Sequence, residues 1–308
     1  MLIGHQKQWQ ILKKSADLKS LPHGLLFYGQ DQLGKKTFAI EFVKYLNCQN
    51  KQKKPCQICR NCRDIEKGVY PDLITLEPAH SAREIQISQI RNLVEKLSLR
   101  PYSADFKTAI LDKAHLMNQQ AQSCFLKFLE EPRGNVLLIL ISEYPESLLP
   151  TIISRVQKIR FSPLTIKEIE EYLLKKGISE TKAKHLAAFS FGKPGRMFNF
   201  ISDPKKIEEQ EGFISDLVKI INSDLVFRFK YAKSLSEIKN LREVLDVWLR
   251  YFRGVFLSRL KEKKNGLFIQ YSLSKLKKII ELIQTTEYLI FSTNINSKLA
   301  LEILLMEL

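Results

Sequence analysis

Short apolar segments of strand length alternate with stretches of helical spacing through the first 160 residues. This alternation restricts the fold more than any other feature of the chain. The strands are Leu25-Leu26-Phe27-Tyr28, Leu73-Ile74-Thr75-Leu76, Thr108-Ala109-Ile110-Leu111-Asp112 and Val136 to Ser142, with a last short one expected at Gln157 to Phe161. Between them, Thr37 to Leu46 reads as a helix. Ile87, Ile90, Val94 and Leu97 recur at spacings of three and four, and Gln119 to Glu130 runs to a stop near Pro132. Strands that are apolar on both faces and separated by helices require a parallel sheet covered on both sides. The fold class is therefore α/β at the start of the chain.

Past Pro163 the strand pattern ends. Thr165 to Lys176, Glu180 to Ala188 and a segment from about Gly195 predict a small helical region, and Asp203-Pro204 marks a boundary. From Lys205 to Leu308 only helical patterns appear, broken at Asn265-Gly266 and at Asn294 to Asn296. The expected division is a core over 1–162, a small helical domain over 163–203 and an all-α domain over 204–308.

The chain has 308 residues, 44% hydrophobic and 27% charged, which is globular and excludes disorder. Lysine and arginine number 49 against 33 acidic residues, a net charge of +16. That excess suits a polyanionic partner such as nucleic acid, or an acidic protein; a solvated basic surface is the plain alternative. No apolar run reaches the roughly 18 residues of a membrane helix. The opening MLIGHQKQWQ lacks an apolar signal core, so a cytoplasmic location and no membrane partner are expected.

Gly29-Gln30-Asp31-Gln32-Leu33-Gly34-Lys35-Lys36-Thr37 follows the first strand and opens a helix. Strand, glycine-bounded loop, lysine and helix start occur in the order of a P-loop, whose backbone amides cradle phosphate while the lysine reaches the outer oxygens. Gly29, Gly34, Lys35 and Thr37 are the candidate cofactor-binding residues. A working site needs Ser or Thr directly after the lysine to ligate Mg²⁺. Here Lys36 takes that place, and Thr37 points about 100° away on the helix. Gln32 replaces the usual central glycine. The acid of the Walker B strand is Asp112, but Lys113 follows it where a water-activating carboxylate belongs, and a protonated lysine cannot accept a proton. ATP hydrolysis is not expected, and neither is effective ATP binding.

Cys48, Cys56, Cys59 and Cys62 form the sharpest local signal. Four thiolates suit tetrahedral Zn²⁺, and each Cys-x₂-Cys places two ligands on one tight turn. An iron–sulfur cluster is the runner-up, weakened because that run wants a downstream Cys followed by Pro. With four ligands and no open position, the centre reads as structural. Cys124 reads as a core thiol. None of the five histidines is a proposed catalyst, and Phe252, Phe256, Tyr251 and Trp248 read as one apolar seam.

Several stretches, in order, resemble the delta-prime subunits of the bacterial DNA polymerase III clamp loader, which are AAA+ proteins. They include His23 to Gly29, the four-Cys insert, Tyr70-Pro71-Asp72-Leu73, Ile87 to Arg91, Lys107 to Asn118 and Phe125 to Pro132. Leu149 to Arg155, Gly192 to Arg196 and Asn294 to Glu302 also fit. The match is continuous over about the first 200 residues and thinner after them. It implies an AAA+ core, a lid over 163–203 and a collar over 204–308 that packs into a pentameric ring with the ATPase subunits and delta. It further implies a ring that opens the sliding clamp, contacted only indirectly or weakly by this chain, and loads it on primer–template DNA.

Delta-prime is the member that does not hydrolyse ATP. The family's Ser-Arg-Cys motif reads Ser154-Arg155-Val156 here, so the resemblance makes Arg155 an arginine finger, a catalytic group supplied in trans to a neighbour's ATP site. The same resemblance places Arg196 at the lid's sensor position, here more a tie of lid to core. Lys96, Arg100, Lys107, Lys127 and Arg133 are candidates for DNA phosphates, each with a solvated-surface reading beside it. Lys261, Lys263, Lys264, Lys275, Lys277 and Lys278 read as solvent faces of the collar. Two other classes compete: a weakly active AAA+ ATPase using a relocated carboxylate such as Glu143, and a free-standing zinc nucleic-acid binder.

Overall fold

A computed structural model of the chain describes residues 3–78, 84–132, 134–203, 205–238, 240–260, 271–292 and 295–308. Arg133, Pro204, Lys261, Lys263, Lys264, Asn265, Gly266 and Asn294, all invoked above, lie outside the described residues. By packing, the chain divides into a unit over Met1–Phe198 and a unit over Asn199–Leu308.

Five parallel strands build the first unit: β1 (Gly24–Tyr28), β2 (Leu73–Leu76), β3 (Lys107–Leu111), β4 (Val136–Ser142) and β5 (Gln157–Arg160). Their order is β2-β3-β4-β1-β5. Strand β1 lies in the interior, between β4 and β5. All seven residues of β4 and all five of β3 are buried, as strands covered on both faces must be. One face packs on α4 (Ile87–Ser98) and α5 (Gln119–Glu130) through Leu93, Leu97, Phe125 and Leu129. The other packs on α1 (Gln6–Asp17) and α2 (Lys35–Asn47) through Leu12, Phe38, Phe42 and Val43.

Local chemistry sets the helix starts. The Asn118 side chain accepts the Ala121 N–H at the start of α5. Gln86 and Gln89 cap α4 reciprocally. The short α6 (Pro150–Ile153) precedes β5. Beyond β5, a Thr165–Glu168 capping box opens α7 (Ile166–Lys175), followed by α8 (Glu180–Ser190) and α9 (Pro194–Ser202).

Two helices escape the periodicity reading. In α1 only Leu12 is fully buried, so the apolar pattern is faint. α3 (Arg60–Glu66) has seven residues inside the cysteine insert. Helix α2 also starts two residues earlier than the reading, at Lys35.

The second unit is helical among its described residues: α10 (Lys205–Ile221), α11 (Leu225–Ser236), α12 (Leu241–Leu260), α13 (Leu273–Ser292) and α14 (Ser297–Glu307). Trp248 and Phe252 are fully buried in its core, with Tyr251 and Phe256 packed against them, and the Trp248 indole donates to the Phe213 carbonyl at 3.0 Å. No helix among the described residues is long and apolar enough to cross a membrane.

Candidate functional site

The loop between β1 and α2 sits at the C-terminal edge of the sheet. Gly29 turns with φ +140°, and a β-carbon there would come within 2.2 Å of the Phe161 carbonyl oxygen. Gly34 closes the loop with φ +84°. Two of the loop amides are used within the chain. The Asp31 N–H donates to Glu143 Oε1 at 3.4 Å, and the Gln32 N–H to Asp31 Oδ1 at 2.8 Å. Carboxylate oxygens thus hold amides of the kind that bind phosphate. Lys35 is buried, and its ammonium donates to the carbonyls of Gly29 at 2.7 Å and Gln30 at 2.5 Å. Burial lowers the Lys35 pKa, opposed by Asp31, Glu143 and Asp112.

Lys36 pairs with Glu77, and its Nζ lies 4.0 Å from Asp112 Oδ2. An ammonium therefore stands between two carboxylates where a divalent ion would be expected. Burial raises the Asp112 pKa, while Lys36 and the Lys113 N–H oppose the rise. Lys113 itself is exposed, in a left-handed conformation. Glu77 was not singled out by sequence; it ends no motif and meets Lys36 only through the fold.

The loop is clamped from two more sides. The Gly195 N–H donates to the Gln32 carbonyl at 2.9 Å, and a β-carbon at Gly195 would lie 3.1 Å from that oxygen. His5 Nε2 donates to the Leu33 carbonyl at 3.0 Å, and burial lowers its pKa. Thr37 lines a cavity of about 70 Å³ with His5, Leu33, Gly195 and Phe198, well below the ~300 Å³ at which small-molecule sites begin. Arg196 is buried over the Phe191 ring.

The cysteine insert leaves the other end of α2. Cys48 is its C-cap, and the Sγ atoms of Cys48, Cys56, Cys59 and Cys62 all lie within 4.8 Å of one another. Tetrahedral ligation at a metal–sulfur distance of ~2.3 Å requires sulfurs about 3.8 Å apart. The group is thus gathered for a metal. Backbone N–H groups of Cys56, Cys59 and Cys62 donate to the sulfurs of Cys48, Cys56 and Cys59 at 3.4, 3.3 and 3.5 Å. N–H groups of Ile58 and Cys59 lower the Cys56 thiol to about 6, and burial pushes Cys62 up to about 12.

Arg155 lies elsewhere. It precedes by two residues Gln157, which stands beside Leu25 at the start of β1. Its carbonyl oxygen would lie 3.5 Å from a β-carbon on Gly24. At ~3.3 Å per residue along β1, that places it on the order of 13 Å or more from the phosphate loop, at the opposite end of the sheet. The guanidinium pairs with Glu130 at 2.7 Å and donates to the Thr151 carbonyl at 3.0 Å, with about 37% of the side chain exposed.

Other sequence candidates resolve as follows. Lys107 is buried and donates to the Lys96 carbonyl at 2.9 Å, so neither a phosphate contact nor a solvated face describes it. Lys96 and Arg100 are exposed. Lys127 lines a cavity of about 550 Å³ with Arg91 and Cys124; the Cys124 thiol packs on the core but also edges this opening. His115 Nδ1 accepts the Glu143 N–H at 3.3 Å. Lys277 pairs with Glu281 and Lys278 with Glu307, while Lys275 lies over Tyr271.

Residues 4–165, more than half of the chain, match the family described as DNA polymerase III, delta subunit. The chain belongs to the DNA polymerase III delta-prime family. A delta-prime subunit of Bacillus subtilis is 31% identical over 79% of this chain and 69% of its own length. Another, from Pseudomonas aeruginosa, is 27% identical over 92% of this chain and 91% of its own. The tau subunit of Escherichia coli is 30% identical over 56% of this chain but only 26% of its own length. Likeness to these delta-prime subunits thus runs through most of both proteins, whereas the Escherichia coli tau alignment covers about half of this chain and a quarter of that protein.

Proposed function

We propose that this chain is a non-catalytic, stator-like subunit of the DNA polymerase III clamp loader that supplies Arg155 in trans to a neighbouring ATPase subunit. The observation that carries the reading is a nucleotide site filled from within. Its amides are taken by Asp31 and Glu143, its lysine by loop carbonyls, and its metal position by Lys36 between Glu77 and Asp112. Glu143 is engaged with the loop amide, which disfavours it as a relocated water-activating base. Arg155 lies at the far end of the sheet, so it cannot serve this chain's own loop and is suited to a neighbour's. A guanidinium there would offset charge on the phosphoryl oxygens without a proton step, since arginine stays protonated.

The four cysteines would hold structural Zn²⁺, with no open position for catalysis. The functional division follows the core over 1–162, lid over 163–203 and collar over 204–308. The partners are the ATPase subunits and delta in a pentameric ring, with the clamp and primer–template DNA as the ring's substrates.

The test is ATP turnover by a loader reconstituted with its ATPase subunits. Arg155→Ala should lower it by about 10³-fold, the low end for arginine fingers. The melting temperature of the isolated chain should hardly move, because a half-exposed Arg155–Glu130 pair is worth about 0–1 kcal/mol. Turnover indifferent to Arg155→Ala would exclude the finger, and turnover by the isolated chain abolished by Lys35→Ala would exclude the non-catalytic reading.

A further inference from the structure

Outside the nucleotide loop, the surface of the cysteine insert combines charge and apolar exposure in a way the metal does not require. Residues 48–69 carry Lys51, Lys53, Lys54, Arg60, Arg63 and Lys67 against only Asp64 and Glu66. Both acids are engaged, Asp64 with Arg60 at 3.5 Å and Glu66 with Lys44. Lys51, Lys53, Arg63 and Lys67 are exposed, and among the described residues no carboxylate lies within ion-pair reach of them.

The insert also presents apolar groups outward. Ile58 is 67% exposed at the knuckle between Cys56 and Cys59, and Val69 is 66% exposed just past the end of α3. The exposure of Ile58 is built in. Its neighbour Gln57 turns with φ +66°, and its side chain donates to Glu41 at 2.7 Å and accepts from Lys44 at 3.0 Å. Lys44, almost fully buried, also reaches Glu41 at 3.0 Å. Asn61 donates to the Asn47 carbonyl at 2.9 Å. The knuckle is therefore fixed to α2, and Ile58 projects from it.

We infer that this face docks an acidic protein segment carrying aliphatic side chains, its carboxylates meeting Lys51, Lys53, Arg63 and Lys67 and an apolar residue covering Ile58. Charge complementarity selects an acidic partner. The choice of protein over single-stranded nucleic acid comes from the side chains. Residues 48–69 contain no aromatic residue on which a base could stack, and Tyr45, under the Lys54 ammonium, is buried against Trp9. Rigid presentation lowers the ordering cost on this side of the contact. The inference does not depend on the arginine finger or on the state of the phosphate loop.

The test is fluorescence anisotropy of a labelled peptide alternating aspartate and leucine, titrated with the full metal-loaded chain. Binding that weakens with salt is expected. Combined Lys51→Glu, Lys53→Glu and Arg63→Glu should raise Kd by about tenfold or more, and Ile58→Asp by about fivefold. Lys127→Glu on α5, which packs on the opposite face of the sheet from α2, should change nothing. Metal content and melting temperature of each variant show that the insert remains folded; if the triple variant loses metal, Ile58→Asp and the salt titration carry the test.

Four results would overturn the proposal: no peptide binding, binding unaltered by the variants, equal binding of an aspartate peptide without leucine, or an oligothymidylate that binds through the same residues and is not displaced by the peptide.

Discussion

One helix joins two sites of opposite character. The 13 residues of α2 begin at Lys35 in the phosphate loop and end at Asn47 beside Cys48, about 20 Å apart at 1.5 Å per residue. At the C-terminal end every ligand needed for a metal is present and the sulfurs converge. At the N-terminal end a glycine-bounded loop opens the helix, and its Asp31 and Gln32 amides and its two lysines are engaged by the chain's own groups. A ligand set is complete or it is not, whereas a cradle of backbone can persist after its chemistry has gone. Backbone shape alone is therefore poor ground for assigning activity, and the charge standing at the metal position is better ground.

Removing one sulfur breaks the comparison most directly. Cys62→Ser, at a buried ligand, should abolish stoichiometric metal binding. Structural zinc holds apparent binding energies on the order of 10 kcal/mol in small domains. The expected result is loss of metal by elemental analysis and a protease-sensitive insert, with the five-stranded sheet still folded by circular dichroism. Unchanged metal content would mean that the four thiols are not the ligands.

A smaller effect is expected midway along the same helix. Lys44 compensates Glu41 and Glu66, and Lys44→Met leaves Glu41 buried without its cation, a loss of about 3 kcal/mol. Burial alone lowers the Lys44 pKa, but hydrogen bonds and charge from Glu66 and Glu41 outweigh it, so the folded value stands above the usual one. A raised lysine pKa stabilises fully below the unfolded value and ceases to do so as pH rises through the folded one. Thermal melts should therefore show a fall above about pH 10.5 that is smaller in Lys44→Met, and identical alkaline profiles would refute the pairing.

The smallest effect concerns the N-terminal end. Lys36→Thr restores a metal-ligating hydroxyl and removes the ammonium, and should raise Mg²⁺-dependent nucleotide affinity by about tenfold, read by calorimetry. Adding Lys113→Glu is required before any turnover appears. If Lys36→Thr gains nothing, the Gln32–Gly195 clamp and the small cavity close the site without help from the lysine.

Much of the fold was readable because buried parallel strands announce themselves. β2 and β4 fall where their apolar runs lie, and β1 and β3 fall within one residue of theirs. α5 matches its pattern end to end. α1 and α3 did not read, since one is polar along most of its length and the other owes its place to the cysteines. Lys107 was misjudged because a lysine in a strand gives no sign that its ammonium will find a carbonyl on another element.

Local covalent order determined which chemistry was available: four thiols at short spacing, a lysine directly after Lys35, a lysine directly after Asp112, and an arginine after Ser154. Those facts hold in any conformation. The tertiary structure decided what these groups face, because side chains far apart in sequence meet only when the sheet is assembled. Glu77 reaches Lys36, Glu143 reaches the Asp31 amide and Gly195 closes on Gln32 across separations of 41, 112 and 163 residues. The sheet's parallel register likewise puts Arg155 at the end opposite the phosphate loop, and no spacing along the chain encodes that distance.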